Sequence, residues 1–565
     1  MKQLLFTLFF ISLAILTSGQ PLGPGYVIHF TDKNNSPYTI ANPSEFLSEA
    51  AIDRRNRQNI PIQMDDIPVN QTYLQAITTP GAQIAAVSRW FNTAAVWIQN
   101  PNIIPGLQAL PFVSAVVPMN GNGSVKSKSN WKSKPFFENE MYDLSFVQNS
   151  SKALMTDYYN YGSASNQIQM VNGQHLHNQG YRGQGIAIAV LDAGFSNVDI
   201  IPAFDSLRAH GRILGALDFV QPGNNVYQSS IHSHGTMVLS TMGANLPGLM
   251  VGTAPEASYW LLRTEDANGP PGNSEYLMEE YFWVAGAEFA DSVGVWVINS
   301  SLGYYEFDDP AQNHTYADMD GNSTPITMCA NRAASKGIFV VNSAGNEGSS
   351  AWQYIIAPSD GNQVMAVGAV NASGNYAGFS SIGPSADGRV KPDIAAQGSG
   401  TAIVGSNGNV SNGSGTSFSS PVLAGMAACL WQSNMNLNRV NVYEAIVQSG
   451  SQYQNPDFLL GYGIPDFEQA QLLMNSIEML PGRKHLINVY PNPSSTFIRI
   501  ECNQPESAIH RIVISDISGK ALIIEDYSQT NKVTVEYGLT ELPAGLYLLR
   551  VDLDSGPETI KLIRF

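Results

Sequence analysis

Four runs of this chain, "IAIAVLD" (186–192), "VWVINS" (295–300), "GIFVVNSAG" (337–345) and "QVMAVGAV" (363–370), are apolar almost throughout, with no polar side chain at every second place. A strand of that kind has to be covered on both faces, the situation of parallel sheets flanked by helices. The stretches between the runs have helical character, as the crossovers of a parallel sheet require. Residues 151–475 are therefore predicted to form an α/β domain, a parallel sheet with helices on both faces.

The flanks read differently. Residues 20 to about 120 mix short β-like runs ("YVIHF", "AAVWIQ", "VSAVVPM") with short helical patterns, which suggests a small α+β unit. "NGNGSVKSKSNWKSK" (120–134) offers almost nothing to bury and reads as an exposed linker, so 20–150 is taken as one N-terminal domain with its linker. After a second linker at 476–485, residues 486–565 alternate in short strands punctuated by "YPNPSS", "DISGK" and "ELPAG", the pattern of a small β-sandwich. The first 19 residues, with one lysine, an apolar core from Leu4 to Leu16 and small residues after it, read as a secretory signal peptide cleaved between Gly19 and Gln20.

Composition excludes several classes of partner. A formal net charge of −17 opposes binding to nucleic acid or to anionic membranes. No other run is apolar and long enough for a stable membrane span. Three widely spaced cysteines, Cys329, Cys429 and Cys502, do not make a disulfide framework. No metal site is expected: the pairs His175/His177 and His232/His234 lack the Cys or Glu companions of a zinc site. The acidic loop 306–322, which could hold calcium, does not have the spacing of a defined calcium loop and reads as a solvated loop. No cofactor is implied.

In open α/β sheets ligands sit beyond the carboxyl ends of the strands. There the chain delivers an acid (Asp192), a backbone with little side-chain bulk (Ser301, Leu302, Gly303), and a glycine followed by an amide (Gly345, Asn346). "HSHGTMVLSTMGA" adds His234 before a glycine and an amphipathic helical stretch, and "NGSGTSFSSP" sets Ser417 at the mouth of the apolar helix "VLAGMAACLW". Each has an ordinary reading: the acid as a turn former, the serine as a helix cap. Together, in the order Asp192, His234, Ser417, they meet the needs of acyl transfer: a nucleophile, a base, and a carboxylate that fixes the imidazole tautomer. Asn346 could offer an amide N–H to the developing oxyanion. The competing class is a catalytically silent binding protein on the same fold; the presence of all four residues favours the enzyme.

These segments resemble the subtilisin-type serine proteases: "AVLDAGF", "HSHGTMV", "SSLG" (300–303), "SAGNEG" and "GTSFSSP", with "VGTAPEA" (251–257) and "FSSIGPSADGRVKPDIAAQG" (379–398). The resemblance covers roughly 175–470. It implies a secreted serine endopeptidase acting through an acyl-enzyme, with Asp192, His234 and Ser417 as triad and Asn346 as oxyanion donor. It also implies that the backbones of Ser301, Leu302, Gly303, Ala344 and Gly345 bind a protein or peptide substrate as an added strand. The family usually has proline where Gln397 stands, and smaller residues where Tyr304 and Tyr305 follow "SLG". By the same resemblance 20–150 is a prodomain, with a permanent accessory domain as the alternative. Residues 486–565, carrying "VYPNPSS", "VISDISGKAL", "LTELPAGLYLLRV" and the closing "KLIRF", resemble the sorting domains of the Bacteroidetes-type type IX secretion pathway. That implies the type IX machinery as a partner and a secreted or cell-surface location.

Overall fold

The computed structural model describes residues 23–119, 157–267, 275–478 and 487–564, apart from 493, 495, 503–506, 517–519, 531, 544 and 555. The leader 1–19, the lysine-rich stretch 120–134 and most of the linker 476–485 lie outside the described residues. The chain forms two compact units, 1–475 and 476–565.

The first unit opens with four antiparallel strands, β1 (Gly25–Phe30), β2 (Gln83–Ser88), β3 (Thr93–Trp97) and β4 (Val113–Pro118), in the order β2-β3-β1-β4. Alternation along these strands serves two partners. Ile28 of β1 and Ala94 and Val96 of β3 turn to Leu74 and Ile77 of the helix Gln71–Thr78. Val27 and Ala95 turn the other way, onto Met278 and Phe282 of the helix Met278–Val293 in the following domain. Charge is buried in the same interface. Asp291 of that helix is fully buried and accepts from Arg54, Arg55 (2.6 Å) and Arg89 (2.6 Å), and Glu288 accepts from the Ser88 hydroxyl and the Arg89 and Trp90 amides.

The central domain is a seven-stranded sheet in the order β13-β12-β11-β10-β5-β9-β6. Its members are β5 (Ala187–Asp192), β6 (Ile213–Asp218), β9 (Ser258–Arg263), β10 (Val297–Ser300), β11 (Phe339–Ser343), β12 (Met365–Val370) and β13 (Ile394–Gln397), with the two-residue strands β7 (Asn245–Leu246) and β8 (Met250–Val251) forming a separate hairpin. Every pairing in the sheet is parallel. The unbroken apolar runs are explained by cover on both sides. Ile188 and Val190 of β5 share a core with Leu239 and Met242 of the helix His234–Gly243 and with Val422 and Met426 of the helix Thr416–Ser433. Ala189 and Leu191 share the opposite core with Trp283 and Ala287, and with Cys329 and Ala330 of the helix Pro325–Ser335. Each fully buried aliphatic side chain contributes about 1.5–3 kcal/mol toward ordering these layers.

The helix Thr416–Ser433 is buried from Thr416 through Trp431, and its small residues make that possible: a Cβ on Gly425 would lie 2.0 Å from Thr253 Oγ1. The chain steps from β5 to β6 and β9 on one side, then to β10–β13 on the other. The order therefore reverses at β5, where the carboxyl ends of β5, β10 and β11 lie side by side and open a crevice.

The second unit has two antiparallel sheets. One is β16 (Ile487–Tyr490), β17 (Phe497–Cys502) and β20 (Thr534–Gly538); the other is β19 (Ala521–Asp526), β18 (Ile509–Ser515), β21 (Gly545–Leu553) and β22 (Gly556–Arg564). The hairpin β14 (Thr401–Val404) and β15 (Val410–Gly413) precedes them in the first unit. Ile498 and Ile500 of one sheet and Ile512, Ile514, Leu549 and Val551 of the other form a single core, as alternating strands with one wet face require.

Candidate active site

Asp192 closes β5 and is fully buried. Its Oδ1 accepts from the Ala193 amide at 2.7 Å and pairs with His234 Nδ1 at 2.8 Å. With the carboxylate as acceptor, Nδ1 carries the proton, so Nε2 is left as the basic nitrogen. His234 is the first residue of the helix His234–Gly243, and its amide donates to His232 Nδ1. The glycine after it is a steric need: a Cβ on Gly235 would lie 2.5 Å from the Gly194 carbonyl oxygen and 3.0 Å from Asp192 Cβ. The helix can bring its histidine to the end of β5 only because nothing stands on that residue.

Ser417 is the second residue of the helix Thr416–Ser433, behind Gly415 at φ +150° and ψ 150°, a region essentially confined to glycine. The exposed fraction rises from Asp192 (0%) through His234 (2%) to Ser417 (8%), so Ser417 is the most exposed of the three residues. The proline of "SFSSP" sits inside the helix. Pro421 has no N–H to give the carbonyl four residues back, which is that of Ser417. Ser301 Oγ donates to that carbonyl oxygen instead, at 2.9 Å, while Ser417 Oγ donates to the Ser301 carbonyl oxygen at 3.3 Å. Asn299 extends the link, donating through Nδ2 to Ser301 Oγ and accepting from Ser420 Oγ. The end of β10 is thus tied to the first turns of the helix that carries Ser417.

Asn346 is fixed by its carbonyl end. Its Oδ1 accepts from the Thr416 amide at 2.8 Å and from Thr416 Oγ1 at 3.0 Å, and Thr416 Oγ1 in turn accepts from the Gly345 amide at 3.3 Å. With Oδ1 committed, the Nδ2 amide is the end left to donate, and a Cβ on Gly415 would lie 3.7 Å from Nδ2 and 3.8 Å from Oδ1. The first-turn amides of the adjoining helix add partial positive charge in the same region.

Leu302, Gly303 and Ala344 flank this cluster. The Leu302 carbonyl accepts from Asn342 Nδ2, Ala344 donates to the Val367 carbonyl, and the Gly345 carbonyl accepts from the Ser381 amide. The structure thus brings together Asp192 with His234, Ser417 with Ser301, and Asn346 with Thr416 and Gly345. Sequence reasoning missed the Ser301 side chain and Thr416; the proline four residues beyond Ser417 was the available signal for the first. The other histidines are engaged elsewhere. Both ring nitrogens of buried His177 are bound, to Tyr161 Oη and the Thr253 carbonyl, and burial lowers its pKa to about 4. His175 pairs with Gln471 and Gln179.

Carboxylates of the 306–322 loop serve nearby backbone: Asp309 accepts from Ala311, Asp318 from Thr315, and Asp320 from Asn322 and Ser323. The described residues that could hold a cation are Glu265, Glu275 and Glu279, whose oxygens lie within 4.8 Å of one another. Glu279 accepts there from the Asp266 and Tyr276 amides, and Glu265 from Tyr304 Oη. Gln397 bridges Asn166 and the Gly400 carbonyl.

The sequence profile of the Subtilase family matches residues 183–463. Subtilisin NAT of Bacillus subtilis subsp. natto is 31% identical over 307 residues, 54% of this chain and 70% of that protein. A subtilisin of Bacillus pumilus is 30% identical over 307 residues, 97% of its own length. This chain belongs to the subtilase family. The subtilase is a subtilisin-like serine endopeptidase, and its other parts match profiles of their own. Residues 25–134 match a peptidase S8 propeptide domain of Bacteroidota, and 488–564 a secretion system C-terminal sorting domain. The α+β unit packed on the helix Met278–Val293 is therefore a propeptide, and the tail marks a secreted or cell-surface protein. No helix among the described residues is long and apolar enough to cross a membrane. Among solved structures, MycP1 from Mycobacterium smegmatis aligns over 56% of this chain and 86% of its own at 21% identity, with a TM-score of 0.43.

Proposed function

We propose that the subtilase cleaves peptide bonds through an acyl-enzyme on Ser417, with His234 as general base and then general acid, and Asp192 as the group that orients and stabilises the imidazole. The observation that carries this reading is the buried 2.8 Å pair of Asp192 and His234, which fixes the proton on Nδ1 and leaves Nε2 to take one. Ser417 Oγ attacks the substrate carbonyl carbon as its proton passes to His234 Nε2. The carbonyl oxygen becomes an oxyanion, which Asn346 Nδ2 stabilises. Collapse expels the amine with the proton from His234, and water repeats the sequence on the ester, restoring Ser417. The backbones of Ser301, Leu302 and Gly303 on one side and Ala344 and Gly345 on the other hold the substrate as an added strand. The reaction as read draws on protein groups and water.

The domain reading goes with it: residues 1–19 leave as a signal peptide, 20–150 are the prodomain with its linker, 151–475 are the catalytic domain, and 486–565 follow the linker 476–485. Replacing Ser417 by Ala tests the catalytic part. Hydrolysis of a peptide anilide should fall by several orders of magnitude with the circular dichroism spectrum unchanged. More than a few per cent of wild-type activity would place the nucleophile elsewhere.

A further inference from the structure

The two segments read as substrate walls each carry a glycine, Gly303 and Gly345, and one side chain from a third segment stands between them. A Cβ built on Gly303 would lie 2.4 Å from Ile356 Cδ1 and 2.6 Å from its Cγ1; one built on Gly345 would lie 3.0 Å from Cγ1 and 3.1 Å from Cδ1. The isoleucine therefore fills the space beside Gly303 and shares that beside Gly345 with Ser381, whose Oγ would lie 2.6 Å from a Cβ there.

That space has a definite meaning for a substrate. When the reacting carbonyl carbon lies beside Ser417 and its oxygen points to Asn346, the residue that owns the carbonyl starts its side chain two bonds away. Its backbone runs along 301–303, so the side chain enters where the walls have no side chains of their own. We propose that Ile356 sets the specificity of this enzyme, occluding the slot for the residue before the scissile bond so that it takes Gly, Ala or Ser and rejects aromatic and long aliphatic side chains. The proposal rests on the reading of Ser417 and Asn346 given above.

Ile356 has little freedom to yield. Its amide donates to the Ala344 carbonyl at 3.3 Å, and its carbonyl accepts from the Ser359 amide (2.9 Å) and hydroxyl (2.6 Å). Ala357 exchanges two backbone hydrogen bonds with Tyr304, at 2.8 and 3.3 Å. The strap is thus fastened to both walls, and the β-branched side chain it carries is stiff at χ1. Tyr305 adds a second tie beyond Gly303, donating to Glu347 at 3.0 Å and packing on Trp352 with ring centroids 4.5 Å apart. In sequence, "YIIAPS" (354–359) shows only an apolar run.

The test uses the secreted enzyme and peptide anilides that differ only in the residue before the anilide. For the wild type, kcat/KM with Ala there should exceed that with Phe by tenfold or more, the scale on which a pocket discriminates a few methylenes. Ile356→Gly should shift the Phe/Ala ratio at least tenfold toward Phe, and Ile356→Val should shift it in the same direction by less. A wild type that cleaves the Phe substrate as well as the Ala one overturns the proposal, even if neither variant folds. An unchanged ratio in a folded Ile356→Gly variant overturns it equally. Failure of the catalytic reading looks different: no anilide is cleaved and a fluorophosphonate leaves Ser417 unlabelled, and the proposal falls with it.

Discussion

Ser301 Oγ donates a 2.9 Å hydrogen bond to the carbonyl oxygen of Ser417, the acceptor that Pro421 leaves without its helical partner. One residue thus replaces a missing helix hydrogen bond and joins the segment after β10 to the helix that carries Ser417. Ser301→Ala should leave that buried carbonyl unpaired and cost about 1–3 kcal/mol. Adding Pro421→Ala returns an N–H to the helix and should recover part of the loss. Thermal unfolding of the two single variants and the double variant measures the coupling; strictly additive losses would show that the two residues do not share this acceptor.

Asn346→Leu removes the Nδ2 donor while keeping the side chain near its original size. The expected result is a fall in kcat of about a hundredfold or more with KM little changed. Steady-state kinetics on one peptide anilide decides it. A loss confined to KM would make Asn346 a substrate-binding residue.

The propeptide, and its contact with the following domain through Asp66 and Lys336 (3.0 Å), should weaken in acid, in a defined direction. Burial pushes the Asp66 carboxyl up, but the hydrogen bonds and charge of Arg55 overcome this and hold its pKa at about 2, below the ordinary 3.8. Its contribution is therefore present above about 3.8 and is lost as pH falls through about 2. The melting temperature of the unprocessed Ser417→Ala protein should drop over that window. Asp66→Asn should shrink the drop and destabilise the protein at neutral pH by about 3–5 kcal/mol, because Arg55 is left with an unbalanced share of charge. Equal acid sensitivity with and without Asp66 would contradict the assignment.

The tail carries an address. Deleting residues 486–565 should leave the first unit folded, since the two sheets of the tail share a core of their own. The protein should then stay in the periplasm, as fractionation and terminal sequencing would show; normal export of the truncated chain would contradict the sorting role.

What could be read from the sequence was what local chemistry encodes. Asp192 lay at the end of an unbroken apolar run, His234 before a glycine and a helical stretch, and Ser417 in a serine-dense turn before a helix of small residues. A parallel sheet followed from four such runs, which became β5, β10, β11 and β12; β6, β9 and β13 were not among them. What stayed hidden depends on contacts between distant segments. Arg54 and Asp291 are 237 residues apart and give no local sign of pairing. Thr416 reads as one more small residue of a turn until Asn346 is seen on its amide and hydroxyl. Ile356 is one apolar residue among several, and its position between Gly303 and Gly345 exists only once three loops have met.

In the proposed mechanism Ser417 is the nucleophile, and Asp192 and His234 activate it. The most direct measurement is to treat the secreted enzyme with a fluorophosphonate and locate the adduct by mass spectrometry. A single adduct on Ser417 is expected, with labelling abolished in Ser417→Ala and strongly slowed in His234→Ala. An adduct on another serine, or labelling of Ser417 that is as fast without His234 as with it, would contradict these roles.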